Sequence, residues 1–544
     1  MRFLLTPRNK SVIALVLAST SFRGTTGFSR ISIVGITKPL AQFVTTTTLS
    51  SSASATLTSS SESKSSMANP LLSDWSSQPY HLPPFSEIKV EHFEPALAEG
   101  MKQHIDDLQA IVDNPDPPTF ENVIEAYDRS GRMFDRVRGV YSNMCSSLNT
   151  DELQLVQTKM SPILSRHSSK ATTLPGLFEK INSVFEKRNE LEGLNQEQIR
   201  LIERIHMDFT RAGANFDEDA KKEYAEIKAE LASLMTEFMQ NVMKDESTYE
   251  LVLTKEDLDG CPESLIEAAK QAAIERNHVG EDDYVITLSR SLVEPFLIYA
   301  NNRELRHKAW EAWTNRGQLV DDRNNIPVAQ NILKLRLRQA QLHGYKNFAE
   351  YQCVDRMAKT PEAVMKLLED VWQRAKVVAD NEREAMEEYV RESNISLEGG
   401  IQPWDWRYVA EKVRKEKYDF DQSLLKPYLS LDSVRRAMFA VSSKLFELDY
   451  ILKEGGDVKS YHPDVDTYEV RNRRTDKLVS LFIHDNFSRA HKSSGAWMSE
   501  FRSQTKNLPN SVDQVEGIPI VVNNNNLAKG EKATFLSHDG TYEA

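Results

Sequence analysis

The chain has 544 residues, 40% hydrophobic and 27% charged, with a mean hydropathy of −0.49. That composition excludes collagen, a wholly disordered chain and a polytopic membrane protein, and at about 150 residues per domain it allows three or four folding units or one large helical body. Residues 1–66 hold seven Lys/Arg and a single acid, Glu62, a balance of +6 against −13 for the whole chain, which leaves the other 478 residues at −19. So acidic a body repels phosphate backbones, so no nucleic-acid partner is expected; basic peptides and metal cations suit it better. Cys145, Cys261 and Cys353 are far apart and form no C-x-x-C pair, which removes a disulfide framework and a Cys-type zinc site.

In chain order, the first element is a leader. Arg2, Arg8 and Lys10 precede the apolar run Ser11–Ala18, and a Ser/Thr-rich stretch follows with Arg23, Arg30 and Lys38 and no acid before Glu62. This reads as a targeting presequence, mostly disordered. The apolar run is far short of the roughly 20 residues that span a bilayer, so no permanent membrane anchor is expected. A charged start with an apolar core reads as secretory, and the acid-free tail reads as a transit peptide; the two in tandem resemble bipartite plastid leaders. An organelle is the expected address, plastid ahead of mitochondrion, and the cytoplasm is the address if the leader is not functional. Ordered sequence is expected from about Asn69.

From about Val90 to Phe446, apolar residues recur at steps of three and four. Tyr224, Ile227, Leu231, Leu234, Phe238 and Val242 share one helical stripe, with Lys and Glu on the other face. Thr360-Pro361-Glu362 reads as an N-cap with proline at N1, and Val364, Leu368, Val371, Ala375 and Val378 continue from it. Both stripes are expected to be core. No repeat of fixed period occurs. After Gly456 the texture changes: Tyr468–Val470 and Leu478–Ile483 read as strands joined by the polar turn Arg473–Lys477, and Ile518–Val522 as a further strand. The fold class is therefore mainly α, a large multi-helix lobe with a small α+β segment near the C-terminus.

No phosphate-binding loop, dinucleotide fingerprint, G-x-S-x-G elbow or H-E-x-x-H motif occurs in the 544 residues. His462, His484, His491 and His538, with Asp464, Asp485 and Asp539, make the densest group of ligand-type residues. No spacing fixes two of them on one helical face, so they are read as surface or hydrogen-bonding histidines in preference to a zinc site. The acidic run Glu281–Asp283 reads as a solvated loop, and Asp106-Asp107 and Glu387-Glu388 as helix-surface carboxylates.

Ala358-Lys-Thr-Pro-Glu-Ala363, Gln402-Pro-Trp-Asp-Trp406 with Tyr408, Ala410-Glu411 and Val413–Lys417, Leu425–Tyr428, Tyr461-His-Pro-Asp-Val465 and Ser494-Gly-Ala-Trp-Met498 resemble the zinc metallopeptidases of the thimet oligopeptidase family. Within it they are most like the peptidyl-dipeptidase Dcp and oligopeptidase A branch. Leu82–Phe85, His92, Pro95-Ala96, Gly100-Met101, Arg338 and Leu342–Tyr345 extend the likeness from about Asn69 to the end of the sequence. None of these motifs performs chemistry.

The resemblance implies a prolate, monomeric helical enzyme. Its enclosed channel would admit short peptides, and one Zn²⁺ would be held by an H-E-x-x-H helix and a later glutamate. Positions i and i+4 share a helix face, and the fourth zinc position stays open for water and the scissile carbonyl. Phe535–Ala544 resembles the lead-in to that helix, so catalytic and metal residues are expected beyond Ala544, with no tight zinc on these residues. The expected division is a presequence (1–66), a helical lobe and channel wall (67–455) and the incomplete start of a catalytic domain with a small sheet (456–544). The chain as it stands is then a catalytically incomplete fragment, the alternative being a non-catalytic peptide-binding or scaffold paralogue. Gly495, Ala496 and Trp497 are the candidate substrate-binding residues, since a strand of small residues lets a peptide approach and pair. A tight packing turn with Trp497 in the core is the competing reading.

Overall fold

Helix starts follow side chains placed to accept from otherwise partnerless first-turn amides. In the computed structural model, which describes residues 69–191, 193–278, 280–418, 426–453, 458–505, 517–527 and 529, the N-terminal helices are α1 (Phe93–Asp113), α2 (Arg132–Ser147), α3 (Asp151–Thr172), α4 (Leu177–Lys187), α5 (Gln196–Arg211) and α6 (Glu218–Thr248). Thr150 accepts from Leu153 N ahead of α3, Asn195 and Gln198 form a reciprocal box ahead of α5, and Asp217 accepts from Ala220 N ahead of α6. The expected leader and Phe535–Ala544 lie outside the described residues, and residues 66–544 belong to one compact unit.

The chain continues through a two-stranded antiparallel ribbon, β1 (Leu251–Leu253) with β2 (Tyr284–Ile286), around α7 (Glu263–Glu275). Next come α8 (Arg290–Tyr299), α9 (Arg303–Thr314), α10 (Asn325–Leu342), α11 (Phe348–Cys353), α12 (Pro361–Glu392), α13 (Trp406–Tyr418) and α14 (Leu431–Phe446). Thr360 caps α12 through Ala363 N at 3.2 Å with Pro361 in its first turn, as the sequence predicts. Among the described residues no helix is long and apolar enough to cross a membrane.

The two expected core stripes part company. On α6, Tyr224 and Ile227 are buried and Leu231, Leu234, Phe238 and Val242 half-buried, because the helix lies between α3 and α10. On α12 the expectation fails: Leu368 is 55% exposed, and its neighbour Trp372 62%. The elements packed on α12 include α11 and α13, and these leave the stripe open to solvent. Periodicity identifies an apolar face, not whether anything lies on it. Leu368→Glu is therefore expected to change the unfolding free energy of these 544 residues by no more than about 0.5 kcal/mol. Leu97→Ala, in the core, should cost about 2–5 kcal/mol. Urea midpoints of the two variants compare them directly, and a large loss for Leu368→Glu would contradict the open face.

The second sheet begins before the change of texture at Gly456. β3 (Leu448–Leu452), β4 (Val465–Asn472), β5 (Leu478–Phe487), β6 (Trp497–Arg502) and β7 (Ile520–Leu527) lie in the order β3-β4-β5-β7-β6, antiparallel except for the β5–β7 pair. The β4–β5 turn is held by Asn472, whose Oδ1 accepts from Arg474 N and Thr475 N. Alternation decides the two faces of β5. Leu481 and Ile483 join Leu97, Val137 and Met144 from the N-terminal helices in one core, together with Phe501, Ile520 and Val522. Phe482 turns the other way, toward Phe439 of α14, Tyr450 and Tyr468. The sheet is thus packed between α1–α3 and α14, and residues before and after 455 share a single core.

Candidate peptide-holding edge

Gly495, Ala496 and Trp497 lead into β6, an edge strand of the five-stranded sheet. Gly495 has φ = +89°, a left-handed conformation that a side chain would strain. Trp497 is half-buried, and Met498 beside it is 68% exposed. From Ser499 onward α2 lies along the strand. Asn143 Nδ2 donates to Glu500 O at 2.9 Å and to Gly139 O at 2.8 Å, and Ser499 Oγ donates to Asn143 Oδ1 at 2.6 Å. Gly139 permits this approach, since a Cβ there would sit 3.3 Å from Phe501 O. Because Glu500 O points to α2 rather than into the ladder, alternation turns the backbone groups of Met498 and Ala496 outward as well. The usable edge is the short stretch before Ser499.

The turn that delivers this stretch is stitched down on several sides. His491 O accepts from Asn149 N and Ser146 O from Ser493 N, each at 2.8 Å. Asn526 Nδ2 donates to Ser493 O at 2.9 Å and to Gly495 O at 2.5 Å. Beneath it, the Asp485 carboxylate accepts from Arg489 at 2.8 and 2.7 Å, from Lys492 Nζ at 2.8 Å and from Tyr461 Oη at 2.7 Å. Burial would raise the Asp485 pKa, but the Arg489 hydrogen bond and the two cations hold it below the usual carboxylate range. Sequence reasoning missed this framework. Its signal was the run Asn523–Asn526 in a strand, where asparagine is disfavoured and must be held by hydrogen bonds. Asn524 and Asn525 are buried, and Asn525 Nδ2 donates to Asn486 Oδ1 at 3.0 Å.

Beside the turn, Tyr141, Cys145, Asn149, Met239, Met243 and Ser493 help to line a cavity of about 300 Å³ whose lining side chains are all neutral. Burial pushes the Cys145 thiol up to about 12, which makes it a packing group rather than a nucleophile.

The described histidines of the C-terminal group, His462, His484 and His491, are not gathered into a metal site. His484 is buried on β5 with Nε2 3.4 Å from Asn525 Nδ2, and burial pulls it down to about 4. His462 Nδ1 accepts from Asp464 N at 3.2 Å, and Asp464 pairs with Lys529 at 2.6 Å. His491 sits in the turn at φ = +64°. His538 and Asp539 lie outside the described residues. Among the described residues no three His, Cys, Asp or Glu side chains come together to hold a metal ion. Those residues therefore do not fit a zinc ion.

Residues 296–542 match Peptidase family M3. The chain is 33% identical over 476 residues to the dipeptidyl carboxypeptidase of Escherichia coli, covering 87% of this chain and 68% of that protein. It is 27% identical over 478 residues to oligopeptidase A of Salmonella typhimurium, with the same coverage of each chain. With an organellar oligopeptidase A, chloroplastic/mitochondrial, of Arabidopsis thaliana it shares 26% over 481 residues, 86% of this chain and 59% of that protein. The chain thus spans between about three fifths and two thirds of the length of these relatives. Identity at this level, spread over most of the chain and over both the helices and the sheet, places it in peptidase family M3, on the branch of dipeptidyl carboxypeptidase and oligopeptidase A.

Proposed function

We propose that the chain is part of a zinc-dependent oligopeptidase that hydrolyses short peptides in an enclosed channel, and that these residues supply the helical wall and the edge that holds the peptide backbone. The observation that carries this is the likeness over 87% of the chain to a dipeptidyl carboxypeptidase. The edge formed by Ala496–Met498 supports it, since a strand end with outward amide and carbonyl groups can take one more strand. Zinc chemistry in such an enzyme, a metal-bound water with lowered pKa, needs ligands that these 544 residues do not provide as an H-E-x-x-H motif. A second reading is a non-catalytic peptide-binding paralogue. The transcript past the codon for Ala544 separates the two, an open frame through H-E-x-x-H supporting the enzyme and a stop codon the paralogue.

Peptide holding is tested by calorimetric titration of the 544-residue chain with a short unstructured peptide. Saturable binding is expected, and Ala496→Pro, which removes an outward N–H ahead of the β6–β7 ladder, should weaken it at least about fivefold. Equal binding by the variant would remove the edge from the proposal. The leader is proposed to direct the chain to an organelle; one Arabidopsis relative is named organellar and another carries a cytosolic designation. A fusion of residues 1–66 to a fluorescent protein should enter an organelle, and diffuse cytosolic fluorescence would refute that address.

A further inference from the structure

Lys492 is a buried cation whose charge the local ion pair does not require. Asp485 is already held by Arg489 through two hydrogen bonds and by Tyr461 through a third. The Lys492 side chain is 0% exposed, and a second buried cation costs desolvation that one carboxylate does not fully offset. Burial accordingly pulls its ammonium down to about 8. What the ammonium does gain is a set of backbone acceptors: Nζ donates to Phe487 O at 2.9 Å, to Asn525 O at 2.6 Å and to Asp485 O at 3.2 Å, besides Asp485 Oδ1. Two of these carbonyls close the end of β5 and one belongs to β7, while Lys492 itself stands three residues before Gly495. Trp497 lies over the same group, with Nζ 5.9 Å from its ring centroid.

We infer that Lys492 is a positioning residue: it fixes the approach to β6 against the ends of β5 and β7, so that Gly495–Trp497 presents its backbone to a peptide in a single arrangement. The inference rests on the peptide-holding reading above. Arg489 binds the same carboxylate but reaches out to Ser147 O on α2 at 2.9 Å, so it ties the sheet to the helices, whereas Lys492 Nζ donates to carbonyls at the sheet's own strand ends. Asn526 holds the other side of the same turn through Ser493 O and Gly495 O. Together Lys492 and Asn526 restrain the turn from below and from the side.

Lys492→Met removes the ammonium and leaves Asp485 paired with Arg489, so no buried charge is stranded. In the 544-residue chain, hydrogen exchange of the amides of residues 493–498 should quicken about tenfold or more. Exchange in α1–α3 should not change, and the dissociation constant for the short peptide should rise about tenfold. Lys492→Gln, which keeps two N–H donors, should recover part of both effects. Unchanged exchange at 493–498 would overturn the inference, as would exchange that quickens uniformly across the sheet and helices, or failure of both variants to fold, since each would make Lys492 a general core residue. If the unsubstituted chain binds no peptide, the peptide-holding reading fails, while the exchange measurement still decides whether Lys492 fixes this turn.

Discussion

The 544-residue chain, purified as it stands, is expected to cleave short fluorogenic peptides at least about a thousandfold more slowly than a relative carrying the full zinc motif, because removing a catalytic unit forfeits most of its rate enhancement. Metal-assisted hydrolysis needs two ligands on one helix face, a third ligand, an open position for water and a base within reach of that water. No H-E-x-x-H occurs in the sequence. Three ligand-type groups of the sheet region are otherwise engaged: Asp485 by Arg489, Lys492 and Tyr461, Asp464 by Lys529, and His484 by its burial among Phe482 and Asn525. A chain extended through an H-E-x-x-H helix should hydrolyse the same peptides. Cleavage by the unextended chain that chelation abolishes, and that substitution of His484, His491 or His538 removes, would show that a metal site had been overlooked.

What the sequence makes legible here is whatever depends on neighbours along the chain. The Thr360-Pro361 start of α12 and the β4–β5 hairpin around Arg473–Lys477 are short-range features, fixed by a cap and by a turn, and both stand where the sequence places them. The burial of α12 is a long-range property, and the same local pattern that is core on α6 is surface on α12. The candidate edge shows the same split. Gly495–Trp497 could be singled out by small residues beside a strand. Its restraint by Asn143, Lys492 and Asn526 joins groups far apart in sequence, up to 357 residues for Asn143 and Glu500, which no local spacing reveals. The motif Gln402–Trp406 is similar. The resemblance marked it as specific, and only the fold shows that Asp405 is its centre and that its role is to join two helices.

Asp405→Ala should be among the most damaging single substitutions outside the apolar core, at a cost of about 3–5 kcal/mol, because it strands buried charge on the opposite side of a helix–helix contact. The Asp405 carboxylate is 0% exposed and accepts from Arg303 Nη2 and from Arg306 Nη2, each at 2.8 Å. It also accepts from Gln402 N at 3.1 Å. Arg306 is buried, with its guanidinium 4.1 Å from the Tyr408 ring centroid and donating to Ala300 O, and next to it His307 stacks on Trp404 at 3.8 Å. The knot therefore holds the start of α13 on α9. A surface pair of similar geometry, Arg338–Glu223, should lose no more than about 1 kcal/mol when Glu223 is replaced by alanine. The sign of the pH dependence follows from the direction of the Asp405 shift. Burial acts to raise its pKa, but hydrogen bonds from Arg303, Arg306 and Gln402 N outweigh burial and lower it. Its contribution is then fully present above the unfolded value of about 3.9 and is lost as pH falls through the lower folded value. Urea midpoints of the parent and Asp405→Ala chains should lie far apart at pH 7 and converge toward pH 2. A gap at pH 7 worth less than about 1 kcal/mol, or one that does not narrow in acid, would mean that Arg306 finds another partner or water when Asp405 is gone.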